Sequence, residues 1–105
     1  MDILSAKFGS DILLLDLQGL TIIADYFVIA SGDSVRQLDA MAEDLRKQLK
    51  EELSLVPLAV EGTAASGWVL MDYGSIVVHL FSPAQRQRYR LEDLWEQART
   101  IVRMA

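Results

Sequence analysis

Two apolar runs, Trp68-Val69-Leu70-Met71 and Ile76 through Phe81, flank the turn-prone segment Asp72-Tyr73-Gly74-Ser75, and this arrangement constrains the fold most. A glycine in a loop of about three to five residues supplies the positive φ such a connection needs, so the stretch reads as a β-hairpin. Between Glu61 and Phe81 the chain also places one of its two tryptophans, its only histidine and an isolated Glu-Gly pair. A core strand needs none of those polar groups, so function is sought here first.

The rest of the chain supplies partners for that hairpin. Asp11 to Leu17 and Asp25 to Ala30 are continuous apolar runs of strand character, which implies a sheet covered on both faces. The link between them is shorter than a parallel crossover demands, so these two strands are expected to be antiparallel. Ser31-Gly32-Asp33-Ser34 ends the second run, and Ser34 with Gln37 has capping-box spacing. Val35, Leu38, Ala42, Leu45, Leu49 and Leu53 then recur at helical intervals, predicting one amphipathic helix of about five turns laid on the sheet. Val56 to Val60 reads as a short strand, with Pro57 tolerable at its start or on an edge, and Gly62 to Gly67 as a small flexible loop. Met1 to Gly9 reads as helix turns or a frayed end. Ser82-Pro83 opens a last helix, with Leu91, Leu94, Trp95, Ala98, Ile101 and Val102 as its buried stripe. The expected class is α/β or α+β, a mixed sheet of about five strands packed with two helices in a single domain over residues 1–105.

Composition limits the partners. Residues 1–81 carry five Lys/Arg against twelve Asp/Glu, and residues 82–105 carry five arginines against three acids. An acidic body is repelled by phosphate backbones, so a protein surface is favoured and little direct nucleic-acid contact is expected. Arg86, Arg88 and Arg90 are the candidates for phosphate contact, with solvated or salt-bridged helix surface as the plainer reading. No apolar run approaches the ~20 residues that span a bilayer, no leader is recognisable and cysteine is absent, so a cytoplasmic protein without a membrane partner is expected.

The chemistry of catalysis is thinly represented. His79 is the lone histidine, which argues against a metal centre, and no Gly-x-Ser-x-Gly elbow accompanies it. On alternation His79 shares a face with Val77 and Phe81, as a core or edge residue. The strand-to-helix segment Ser31 to Ser34 could offer free N–H groups to an anion, as nucleotidyltransferases do. That reaction also needs paired carboxylates for its metal ions, and none of the fifteen acids forms an acid-x-acid pair. A plain connection is the alternative. Trp68, following the small-residue loop, is either core or the exposed anchor of a protein interface beside Glu61 and Asp72.

Several motifs together carry a resemblance. Asp16-Leu-Gln-Gly19, Ala24-Asp-Tyr-Phe-Val-Ile29 with Ser31-Gly32, Val60-Glu-Gly62, Trp68-Val-Leu-Met-Asp-Tyr-Gly74, Val78-His-Leu-Phe81 and Tyr89-Arg-Leu-Glu-Asp-Leu-Trp95 resemble, in order and spacing, the ribosomal silencing factor (Iojap-like) family. Gly67 departs from the polar residue common there. The resemblance implies a nucleotidyltransferase-like fold without catalytic acids and a non-enzymatic translational repressor needing no cofactor. It also implies docking on the L-fourteen protein of the large ribosomal subunit, which blocks subunit joining. Relatives resemble homodimers in isolation, and the residues do not rank dimer against monomer. Residues expected at the partner surface are Glu61, Trp68, Val69, Leu70, Asp72, Tyr73, His79, Arg86 and Tyr89. A residual nucleotidyltransferase or nucleotide-binding domain is the competing expectation.

Overall fold

A computed structural model of the chain describes residues 10–19, 24–90 and 99–104. The apolar runs become strands: β1 (Ser10–Asp16), β2 (Tyr26–Ser31), β3 (Ala59–Thr63), β4 (Trp68–Asp72), β5 (Ile76–Phe81) and β6 (Arg99–Met104). They form one six-stranded sheet in the order β3-β4-β5-β2-β1-β6. Every pairing is antiparallel except β2 with β5, so the sheet is mixed. The expected antiparallel pairing of the first two strands is present, with Leu14 opposite Val28. The predicted hairpin forms too, with Trp68 opposite Phe81 and Gly74 at φ +89° in its loop.

Helix α1 (Val35–Leu53) begins where the capping signal stands: Ser34 Oγ accepts the N–H of Gln37 at 3.0 Å. The Gln37 side chain reaches back one residue further than a standard box, accepting the Asp33 N–H at 2.6 Å. The buried stripe differs from the expected one. Leu38, Met41 and Leu45 are buried, whereas Val35 and Leu53, the first and last residues of the helix, are 54 % and 62 % exposed. Together with Ile12, Ala30, Val69, Met71, Val78 and Leu80 these residues make the core on the first face of the sheet.

Three further expectations are corrected. The short strand starts at Ala59, two residues beyond Pro57, and runs to Thr63. The loop after it is ordered as a 3₁₀ turn, Ala64–Ser66, closed by reciprocal capping between Thr63 and Ser66. Gly67 ends that turn at φ +83°, and a Cβ there would meet Ser82 Oγ at 2.7 Å and Gln85 Cγ at 2.8 Å, so the position requires glycine. The helix expected after Ser82-Pro83 starts there, as α2 (Pro83–Tyr89), and ends at the cap Arg90, which is left-handed at φ 48°. Ile101 and Val102 belong to β6, not to a helix, and β6 pairs antiparallel with β1. A run of two β-branched residues satisfies either period, and the strand wins by completing the ladder of β1. Leu91, Leu94, Trp95 and Ala98 lie outside the described residues, as do Met1 to Gly9.

Candidate docking surface

Side chains alternate across β4 and β5, so the hairpin presents different chemistry to each face. Val69, Met71, Val78 and Leu80 point into the core under α1. Trp68, Leu70, Val77, His79 and Phe81 point to the second face, with Leu13, Leu15, Phe27 and Ile29 from β1 and β2. There the aromatic rings converge. The Trp68 ring centroid lies 4.9 Å from Phe81, 4.6 Å from Tyr89 and 6.0 Å from His79, and His79 meets Phe27 edge-on at 4.6 Å. Tyr89, brought in by α2, is 42 % exposed and carries the Arg88 guanidinium 5.6 Å above its ring. This is a favourable cation–π geometry.

Three polar residues, His79, Ser31 and Arg86, are buried on this face. His79 Nδ1 accepts the indole N–H of Trp68 at 3.2 Å. Burial pushes the His79 imidazole down to about 4, so it is neutral at physiological pH. Arg86 reaches back from α2 and donates to Ser31 Oγ at 3.0 Å, with both residues buried. Arg86 is therefore buried and not exposed helix surface, and its guanidinium ties α2 to the end of β2. Ser31 serves as its acceptor, Gly32 donates to the Phe81 carbonyl, and Ser34 caps α1.

The expected partner residues divide on this frame. Trp68 is partly buried, which combines its two alternatives: its ring packs on Phe81 and Tyr89, and the residue also lines a surface depression. Leu70 lies beside it, opposite Glu61 in the ladder, and Glu61 is exposed. Glu61, Gly62, Ser66, Trp68 and Leu70 line a shallow depression of about 220 Å³. Tyr89 borders Trp68 from α2. His79 and Arg86 lie beneath this rim and present no surface of their own. Val69 faces the opposite core and is 5 % exposed, because alternation turns it away from Trp68. Tyr73 also belongs to the first face, its hydroxyl buried and its pKa raised by that burial against the opposing charge of Arg46. Asp72 is held at the hairpin turn, accepting the Gly74 N–H at 2.8 Å. Phe27 and Phe81 were not singled out for this surface. Alternation identifies Phe81 from His79, but Phe27 joins only through the parallel pairing of β2 with β5.

The arrangement defines an α+β domain with one face closed by a helix and an aromatic rim on the other. The chain belongs to the ribosomal silencing factor family: the family model described as "Ribosomal silencing factor during starvation" matches residues 1–105. Ribosomal silencing factor RsfS of Bacillus subtilis is 40 % identical over 92 residues, covering 88 % of this chain and 77 % of that protein. The mouse protein named "Mitochondrial assembly of ribosomal large subunit protein 1" is 45 % identical over 73 residues, covering 68 % of this chain and 32 % of its own length. A crystal structure of a Chromobacterium violaceum protein matches with a TM-score of 0.85 at 38 % identity, covering 90 % of this chain and 78 % of that one.

Proposed function

We propose that this protein is a cytoplasmic translational repressor that binds the large ribosomal subunit through its L-fourteen protein and blocks subunit joining by occupying space. The observation that carries the reading is the family match along all 105 residues. The name of the mouse relative, which refers to the large subunit, supports the choice of subunit. Surface chemistry supports a protein partner: an aromatic anchor at Trp68 and Tyr89 beside the exposed acid Glu61 suits a basic protein, with charge steering the approach and ring burial holding it. No chemical step is required of the chain. Self-association into a homodimer belongs to the same proposal, since β3 is a sheet edge among the described residues and all its side chains are exposed.

The direct test is co-sedimentation with purified large subunits, followed by joining to small subunits. Wild-type protein is expected to pellet with large subunits and deplete joined ribosomes. Glu61→Lys should weaken binding about tenfold, or about 1.4 kcal/mol, with thermal stability nearly unchanged because the residue is exposed. Trp68→Ala should weaken it further while the domain still unfolds cooperatively. Failure of the wild type to pellet sinks the reading. Saturating heat on titration with a nucleoside triphosphate and Mg²⁺ would instead favour a nucleotide-binding domain.

A further inference from the structure

His79 is an expensive residue for its position. Its side chain is 4 % exposed, with its ring edge-on to Phe27 at 4.6 Å and parallel to Phe81 at 6.0 Å, an interplanar angle of 6°. Because Nδ1 accepts the Trp68 indole N–H, the single proton of the neutral imidazole is on Nε2. Nε2 is buried and has no hydrogen-bond partner among the described residues. A phenylalanine would fill the same slot among these rings without burying an unsatisfied donor. What the histidine supplies in exchange is one acceptor, directed diagonally across the hairpin: Leu70 stands opposite His79, and Trp68 opposite Phe81. That acceptor acts on Trp68, a partly buried side chain that packs against the core and also lines the rim.

We propose that His79 is a positioning residue for the docking surface: it draws the indole N–H of Trp68 inward and so fixes which edge of that ring a protein partner meets. The inference rests on reading the Trp68 rim as the partner surface. With its only donor satisfied inside the domain, Trp68 offers the partner an apolar contact that asks for no acceptor. Its ring is also ordered before binding, so less side-chain freedom is lost on association. The neutrality of the buried imidazole, described above, keeps Nδ1 an acceptor at physiological pH.

The test uses the full chain carrying Trp95→Phe, which leaves Trp68 as the sole tryptophan. His79→Phe removes the acceptor and keeps an aromatic ring; His79→Asn places an amide oxygen near the position of Nδ1. The near-ultraviolet circular dichroism and fluorescence anisotropy of Trp68 are read alongside co-sedimentation with large subunits. His79→Phe should unfold cooperatively, alter the Trp68 dichroism, raise the mobility of its ring and bind about tenfold more weakly, a loss typical of a disordered anchor. His79→Asn should recover most of both signals. An unchanged Trp68 signal, wild-type binding by His79→Phe, or an asparagine variant no better than the phenylalanine one overturns the proposal. If His79→Phe does not fold, comparison of His79→Asn with His79→Leu decides in the same way. If wild-type protein fails to bind large subunits, the partner assignment falls, while the Trp68 signal still shows whether His79 sets the ring.

Discussion

The two faces of one sheet are built to different rules. Under α1 the first face buries Ile12, Ala30, Leu38, Met41, Met71 and Leu80 at 1 % exposure or less, with the Tyr73 hydroxyl as a polar atom at its margin. The second face buries Leu13, Leu15 and Ile29 at 3 % exposure or less, yet it also holds His79, Ser31 and Arg86. Each of those polar groups costs desolvation that an aliphatic side chain would not. The first face therefore accounts for folding by apolar packing alone, whereas the second spends part of that stability on side-chain placement. Polar groups beneath an aromatic rim are the mark of a surface that has to be held in one shape.

The largest effect should come from the first face. Leu38 is 1 % exposed between α1 and the sheet, and Leu38→Ala removes buried methyl groups and leaves a cavity. A loss of about 4 kcal/mol is expected in urea unfolding. If the faces are functionally separate, large-subunit binding per folded molecule should stay at the wild-type level. A binding defect larger than the unfolded fraction would break the comparison.

The second face should respond to pH where the first does not. The His79 pKa is lowered from 6.5 to about 4 by burial, so folding favours the neutral ring. The unfolded chain binds a proton near pH 6.5 and the folded one does so only near pH 4. This contribution is therefore complete above about 6.5 and is lost as pH falls between the two values, by about 3 kcal/mol in all. His79 is the only histidine, and unperturbed carboxylates titrate mostly below pH 5, so the upper part of the window belongs to it. Urea midpoints measured from pH 7 to 5 should fall for wild type and flatten for His79→Phe. Parallel slopes for the two proteins would remove His79 as the source.

Much of this division was legible in the chain, and the gaps have physical causes. Two apolar runs flanking the turn-prone Asp72 to Ser75 gave the hairpin, and the Ser34 and Ser82 caps gave the starts of both described helices. The end of α1 at Leu53 matches the last position of the expected stripe, whereas α2 stops at Arg90, which takes a left-handed conformation without the glycine that usually marks such a stop. Reading past Arg90 turned Ile101 and Val102 of β6 into helix residues, and their pairing with β1 is a long-range contact that no local pattern carries. Of the candidate surface, Glu61, Trp68, Leu70 and Tyr89 are together at the rim. Val69 is turned to the opposite core by its alternation with Trp68 and Leu70. Arg86 was misread because arginine is ordinarily a surface residue, and its acceptor Ser31 lies 55 positions away.

The smallest effect separates a structural serine from a binding one. Ser34 lies at the segment that could have held an anion, and its Oγ is instead engaged with the Gln37 N–H at 3.0 Å as the cap of α1. Ser34→Ala leaves that helix N–H to water, with an expected loss of about 1 kcal/mol in unfolding. Ser34→Asp should retain most of the stability, because a carboxylate both accepts the N–H and complements the positive end of the helix. Placed at an anion site, the same carboxylate would repel the ligand. Full large-subunit binding by both variants would keep Ser34 with the first face and its folding role. Weakened binding by Ser34→Asp with stability intact would extend the docking surface around the end of α1, and the boundary drawn here between the two faces would have to move.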